Sequence, residues 1–256
     1  MVQWNWRAAL LVSALPSLLM AVWWLGIRPP SGARDDREGP REPEVHPAGG
    51  RARVVLRLLR TPGFLRLTLS YSLQGYVGYI FIFWFYLYLV QVRHFDLMQG
   101  AAVSSLPWVL SIVSIPFGGM VSDRLVRGRL GHVWGRRLVP IVGMAGAGVC
   151  IAIGARTGHA YVAAVTLAIA TALVLSVEGP FWSTMASLAG DRSGTGGGIM
   201  NTGCNLGGLI SPMLTPWLAE QLGWEPALYV AAALSVAAAL LWFGITPAPP
   251  GGNAPA

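Results

Sequence analysis

The chain has 256 residues, of which 54% are hydrophobic and only 11% are charged. A soluble all-α protein carries about 25% charged residues, so the composition excludes that class. The net charge of +7 comes from 18 arginines that lie in loops beside apolar stretches, without the aromatic-interleaved basic face of a nucleic-acid-binding protein. We therefore predict that this chain lies in a lipid bilayer and does not bind nucleic acid.

Seven apolar stretches follow one another along the sequence. A bilayer core about 30 Å thick requires roughly 20 residues of helix, and each spanning segment must be helical because the hydrocarbon offers its backbone no hydrogen bonds. The first stretch ends in Trp23-Trp24, not in a small-residue cleavage site, which favours a retained helix. The sequence thus predicts an all-α membrane protein with seven transmembrane helices, in residues 8–27, 64–92, 99–121, 138–155, 160–187, 196–219 and 226–245.

Polar segments divide the chain into four parts. Residues 1–27 hold the first helix, and residues 28–61, rich in proline, glycine, arginine and acids, predict a flexible cytoplasmic linker that ends in a short amphipathic helix. Residues 62–246 hold the other six helices as one bundle. The proline- and glycine-rich residues 247–256 predict a disordered tail.

Arginines are distributed unequally between the two ends of these helices. Fifteen of the 18 fall in the segments 28–66, 122–137 and 190–194, whereas the opposite side receives Arg7, Arg93 and Arg156. By the positive-inside rule the first group is cytoplasmic. This predicts a multi-pass protein of the plasma or inner membrane, with its N-terminus outside and its C-terminus in the cytoplasm.

The loop after the third stretch concentrates charge at a helix end. It reads GMVSDRLVR over residues 119–127 and continues as GRR over residues 135–137. An acid such as Asp123, next to Arg124 and Arg127, could form a gating ion pair between helix ends that opens when helix bundles move. The alternative is ordinary positive-inside charge combined with a helix cap.

The most specific stretches are EGPFWS over residues 178–183 and GTGGGIMNTGCNLGGLISP over residues 194–212. They resemble helices ten to twelve of the anion:cation symporter branch of the major facilitator superfamily, carriers of sugar acids and related organic anions. The loop motif is similar to the superfamily's second-half G-x-x-x-D-R…R-R signature. Further similar positions are the opening WNWR of residues 4–7, His46-Pro47, TPW at residues 215–217 and GW at residues 223–224.

The resemblance implies helices six to twelve of a twelve-helix fold. It implies transport of a small organic anion by alternating access, with H⁺ as the expected coupling ion, and an N-terminal half, absent from this chain, as a partner or as part of a longer reading frame. The alternative is a non-transporting membrane protein, either a remnant or an assembly partner.

Glu178 is the ionisable residue deepest within an apolar stretch. A charge in hydrocarbon is costly, so this carboxylate must be neutral, paired or next to an aqueous cavity. Pro180 weakens the helix there, and Trp182, four residues on, shares a helix face with Glu178. Glu178 and Trp182 are thus candidate substrate contacts; the alternative is an acid hydrogen-bonded to a loop.

Two more helices offer candidate substrate contacts. Asn201 and Asn205 lie on one face with small residues, where they either bind a polyhydroxy substrate or join helices by amide hydrogen bonds. The second apolar stretch is rich in tyrosine, and the resemblance implies that this helix contributes to the substrate site. Its candidates are Tyr71, Gln74, Tyr76 and Tyr79.

Enzyme signatures are not found in the sequence. It lacks a G-x-S-x-G, an H-E-x-x-H and a P-loop, so we expect a protein that is not an enzyme, without a cofactor. Cys150 and Cys204 lie in apolar stretches without metal-ligand spacing, which predicts small core residues and no metal site.

Overall fold

The structure is a computed structural model, and it describes residues 6–27 and 48–247. All regular secondary structure in this part of the chain is helical, with no β-strand among the described residues. The all-α prediction is therefore confirmed for the described residues. Trp4 and Asn5 of the opening motif, His46-Pro47, most of the expected linker and most of the expected tail lie outside them.

Helix α1, Trp6–Leu25, belongs to a compact unit of its own. Its large apolar side chains are exposed, among them Trp23 and Trp24. Helix α1 has 20 residues, and Leu10–Leu25 form its apolar part. The first predicted span is thus present as a helix.

The second unit begins at Ala48 and contains ten α-helices among the described residues, with a π-helix and two 3₁₀ turns. The amphipathic helix expected at the end of the linker is present as α2. The elements are α2 (Ala48–Arg60), α3 (Pro62–Phe83), α4 (Phe85–Leu87), the π-helix (Tyr88–Val92), α5 (Leu97–Ser104), α6 (Leu106–Arg127), α7 (Gly131–Arg156), α8 (Ala160–Ser176), α9 (Glu178–Ala189), a 3₁₀ turn (Gly190–Arg192), α10 (Ser193–Leu222), α11 (Trp224–Leu241) and a 3₁₀ turn (Trp242–Gly244).

Four helical stretches of the described chain are long and apolar enough to cross a membrane. They are Leu97–Arg127, Gly131–Arg156, Ala160–Leu222 and Trp224–Gly244. The segment Pro62–Val92 makes a fifth if its two arms, bent by 52°, form one span. Length and composition thus support four or five spans and do not confirm the predicted count of seven.

The 63-residue stretch Ala160–Leu222 folds back on itself at Gly190, whose φ of 55° is a backbone conformation that favours glycine. Beyond this turn, a Cβ on Gly196 would lie 2.7 Å from the Cβ of Ala189, and one on Gly197 would lie 3.2 Å from the Trp182 ring. The start of α10 therefore runs back along α9, so this stretch contains two antiparallel arms.

Helix α3 packs mainly against α10 and α11, while α7 packs against α6, α8 and α11. Glycines allow α3 and α10 to approach closely. A Cβ on Gly207 would overlap the carbonyl oxygen of Ser72, and one on Gly203 would lie 2.7 Å from the Ser72 hydroxyl. Gly203 and Gly207, which are spaced as G-x-x-x-G, therefore face α3 and permit its close approach.

The second arm of the bent segment, Phe85–Val92, which we call the outer arm, is attached to α7 through the following residue, Arg93. The Arg93 guanidinium donates to the carbonyl oxygens of Thr157 at 2.6 Å and of Gly154 at 2.8 Å, and its Nε donates to the Tyr88 hydroxyl at 2.8 Å. Carbonyl groups in the last turn of a helix lack intrahelical partners and carry partial negative charge, so a cation is favourable there. Arg93 thus joins the π-helix to the C-terminal end of α7.

Candidate functional site

A helix break places Glu178 beside α3. Helix α8 ends at Ser176 and α9 begins at Glu178, with Val177 between them. Pro180 cannot donate a backbone hydrogen bond, which explains why the two helices do not continue as one. Glu178 therefore occupies the first turn of α9, where backbone N–H groups favour a negative charge.

Three side chains donate hydrogen bonds to the Glu178 carboxylate. The Tyr71 hydroxyl donates to Oε2 at 2.8 Å, the Trp182 indole Nε1 donates to Oε2 at 3.2 Å, and the Gln74 amide donates to Oε1 at 2.9 Å. We call Tyr71, Gln74 and Trp182 the donor cradle. Four of the residues expected at the substrate site, from two separate parts of the sequence, are thus in direct contact.

Two of the three residues of the donor cradle are buried. Tyr71 is 4% exposed and Gln74 is 3% exposed, whereas Trp182 is 40% exposed and Glu178 is half-buried. All three donors are neutral, and no arginine or histidine of residues 48–247 contacts Glu178. Within residues 48–247, the carboxylate is therefore stabilised by hydrogen bonds from neutral groups.

A second polar group lies on the exposed side of α3 and α10. The Tyr79 hydroxyl donates to Oδ1 of Asn205 at 3.1 Å, and the Asn205 amide donates to the backbone carbonyl of Asn201 at 2.9 Å. Asn201 and Asn205 are both exposed. Their face of α10 thus does not point into the packed interior of this unit, although an amide facing lipid is unfavourable.

Cys204 connects the two polar groups. Its thiol lies 3.9 Å from Oε1 of Gln74, while its neighbour Asn205 contacts Tyr79. The sequence predicted only a small core residue here. Its position between the two candidate amides of α10 was the available signal that it lies next to the site.

Tyr76 lies in a different environment from the other candidates on α3. It is 4% exposed, and its hydroxyl is 3.1 Å from the hydroxyl of Thr215 on α10. Thr215 is fully buried and was not a candidate, since a single threonine in an apolar stretch gives no signal of its own. This pair joins α3 to α10 away from the carboxylate.

The charged residues expected to act in gating lie in the last turns of α6. Asp123 forms an ion pair with Arg136 on α7 at 2.6 Å, whereas Arg124 and Arg127 are exposed. The partner of Asp123 is therefore an arginine of the following helix and not its neighbour Arg124. Ser122 strengthens the junction because its hydroxyl donates to the carbonyl oxygen of Gly135 at 3.2 Å.

Metal-ligating side chains do not cluster in the described part of the chain, where no group of three or more histidines, cysteines or acids could hold an ion. The polar chemistry of the site consists of hydroxyl, amide, indole, thiol and carboxylate groups. Such groups recognise hydroxyl groups and carboxylates of small solutes by hydrogen bonds.

Comparison with known proteins identifies the family. The family model described as Major Facilitator Superfamily matches residues 1–210 and, in an overlapping second match, residues 125–256. The hexuronate transporter of Bacillus subtilis is 25% identical over 250 residues, which cover 93% of this chain and 57% of that protein. The chain thus spans little more than half the length of this relative.

Two further relatives align over shorter regions. The probable sulfoacetate transporter SauU of Cupriavidus necator is 33% identical over 150 residues, 58% of this chain and 35% of that protein. The D-galactonate transporter of Escherichia coli is 28% identical over 163 residues, 63% of this chain and 37% of that protein. The family match, the apolar helices and the relatives all lead to the same conclusion. The chain is a multi-pass membrane protein that belongs to the major facilitator superfamily.

Proposed function

We propose that this chain forms the C-terminal half of a secondary transporter that moves a small organic anion of the sugar-acid type. The observation that carries the proposal is the exposed amide face of α10 in a membrane protein, where Asn205 accepts a hydrogen bond from Tyr79 of α3. Amides facing lipid are unfavourable, whereas amides facing a water-filled cavity between two bundles are stabilised. Relatives named for hexuronate, sulfoacetate and D-galactonate support the anion class.

The proposed topology has seven spans, with the N-terminus outside and the C-terminus cytoplasmic. Helix α1 corresponds to a sixth helix, and the second unit supplies six more spans when the two antiparallel arms of Ala160–Leu222 count separately. The arginine-rich ends of α6 and α7 then face the cytoplasm of the plasma or inner membrane. A first-half bundle, from a longer reading frame or from a partner chain, completes the cavity.

Each candidate residue takes a role in this proposal. Asn201, Asn205 and Tyr79 contact the hydroxyl groups of the substrate, and Trp182 packs against its carbon skeleton. Glu178 lies at the polar end of the cavity with Tyr71 and Gln74 behind it. Tyr76 supports the helix pair through Thr215.

Transport proceeds by alternating access with H⁺ as the coupling ion in this proposal. One six-helix bundle rocks against the other around the midplane site. Asp123, with Arg136 as its partner and Arg124 and Arg127 next to it, holds the cytoplasmic ends of α6 and α7 together in one of the two states.

Uptake into proteoliposomes tests this function. Labelled D-glucuronate, D-galactonate and sulfoacetate are offered to vesicles containing the chain alone, or the chain with the first-half bundle of the Bacillus subtilis hexuronate transporter, with and without a pH gradient. We expect gradient-driven uptake of one of these anions only in the second preparation, and its loss in Asn205→Ala. Uptake by the chain alone would contradict the half-transporter assignment, and no uptake in either would favour a non-transporting membrane protein.

A further inference from the structure

The Glu178 carboxylate is the acceptor for three donors that come from two different helices. Tyr71 and Gln74 lie on α3, and Trp182 lies on α9, one helical turn beyond Glu178. Both oxygens of the carboxylate are used, because Gln74 donates to Oε1 while Tyr71 and Trp182 donate to Oε2. This is the hydrogen-bonding pattern of a bound carboxylate ligand, here provided by the chain itself.

Tyr71 depends on this carboxylate for its hydrogen bond, whereas the Gln74 amide also donates to the backbone carbonyl of Val174 at 3.3 Å. The Tyr71 hydroxyl is buried and donates to Glu178, and the Trp182 indole has Glu178 and the Tyr71 oxygen as its two acceptors. A buried donor without an acceptor is unfavourable. When Glu178 moves away, binding of another carboxylate to the cradle is therefore favourable. No hydrogen bond or ion pair joins an arginine or histidine of residues 48–247 to Glu178.

We propose that Tyr71, Gln74 and Trp182 form a carboxylate-binding site that Glu178 fills as an internal ligand, and that the carboxylate of the transported anion replaces it there. The replacement of Glu178 by the transported anion rests on the proposed function. Two carboxylates cannot occupy the same donors, because their charges repel one another. Glu178 is therefore a competitor of the substrate and sets how readily the site accepts an anion.

The proposal predicts a gain of binding where an ordinary substrate contact would predict a loss. In Glu178→Ala, the cradle is empty and its donors are open to a free carboxylate. Acetate should therefore bind this variant at least ten-fold more tightly than it binds the natural chain. In Glu178→Gln, the affinity for acetate should change little, because the amide side chain still fills the cradle.

Thermal unfolding of the purified full chain in detergent measures this binding with acetate as the probe. We expect Glu178→Ala to unfold at a lower temperature than the natural chain, and saturating acetate to raise its Tm by about 2–4 °C, the shift expected for roughly one recovered hydrogen bond in a chain of this size. Acetamide, a neutral molecule of the same shape, and chloride at equal ionic strength serve as ligand controls.

Two variants serve as matched controls. Glu225 also accepts a hydrogen bond from a tyrosine, Tyr229, at 2.8 Å, but this pair is exposed at the start of α11. Acetate should leave the Tm of Glu225→Ala unchanged. The double variant Glu178→Ala/Tyr71→Phe should lose the response, because the cradle then lacks its hydroxyl donor. If Glu178→Ala does not fold, Glu178→Ser replaces it, since its hydroxyl provides one acceptor.

The outcomes separate the inference from the proposed function. No acetate response in the folded variant, or an equal response in Glu225→Ala, overturns the carboxylate site, whether or not the chain transports anions. A response to acetate and to D-glucuronate, absent in the double variant, supports the proposal. A response to acetate alone, with D-glucuronate uptake intact in vesicles, overturns the exchange with the transported anion and leaves the transport function in place.

Discussion

Gly75 on α3 and Cys204 on α10 lie in backbone contact. A Cβ on Gly75 would overlap the carbonyl oxygen of Cys204 and would lie 2.8 Å from its sulfur. Because α3 carries Tyr71, Gln74 and Tyr79 while α10 carries the amides, this contact fixes the distance between the two groups of candidate substrate contacts.

The close contact predicts that Gly75→Ala destabilises the chain. The added methyl group must displace the α10 backbone, and overpacking of this kind costs about 1–3 kcal/mol. Gly78→Ala is the matched control on the same helix, since its Cβ would lie 3.9 Å from the nearest atom, on Val174. Thermal unfolding in detergent should separate the two variants, and equal Tm values would contradict the proposed steric limit.

The Arg93 contacts predict a second effect on stability. Arg93→Gln removes the charged donor from the carbonyl oxygens of Thr157 and Gly154, which should cost at least the roughly 1.5–3 kcal/mol of one charge-assisted hydrogen bond. Arg156→Gln, a neighbouring exposed arginine, should change the free energy of unfolding by less than about 0.5 kcal/mol. Chemical denaturation of both variants measures the difference.

The ion pair of Asp123 with Arg136 predicts an effect on transport that exceeds its effect on stability. Side chains exposed by 46% and 19% form a pair worth at most about 1 kcal/mol, so Asp123→Asn should remain folded. In the proposed transporter the same variant should slow the exchange between the two states and lower the uptake rate. Arg129→Gln, an exposed arginine of the same loop, should leave the rate unchanged.

The exposed amide of Asn205 also predicts a larger effect on function than on stability. Asn205→Ala should change stability by less than about 0.5 kcal/mol, because the residue is exposed. Loss of one hydrogen bond to the substrate should weaken sugar-acid binding by about ten-fold. Thr202→Val is the control: Thr202 is also exposed, and its hydroxyl donates to the carbonyl oxygen of Gly198. Equal affinities in the two variants would remove Asn205 from the site.

Much of the fold could be predicted from the sequence, because hydrocarbon imposes helices and apolar composition reveals their positions. The break next to Pro180 and the shared face of Glu178 and Trp182 also follow from local rules. Both features depend on residues that are close in the sequence, and the structure confirms both.

Contacts between distant residues could not be predicted in the same way. Nothing in the sequence indicates that Gln74 reaches Glu178, or that Asp123 selects Arg136 over nearer arginines, because both depend on how helices pack. The exposure of Asn201 and Asn205 has the same origin: periodicity places both on one face, but only packing decides what that face meets.

The bend after α3 separates two arms of one segment that are held by different helices. The segment beyond Trp84 turns by 52° and is attached through Arg93 to the last carbonyl groups of α7. A displacement of α7 is therefore transmitted to the outer arm, while the inner arm with Tyr71, Gln74 and Tyr79 remains held by α10. One continuous segment of chain thus packs against α10 through one arm and is tied to α7 beyond the other, with Trp84 at the bend.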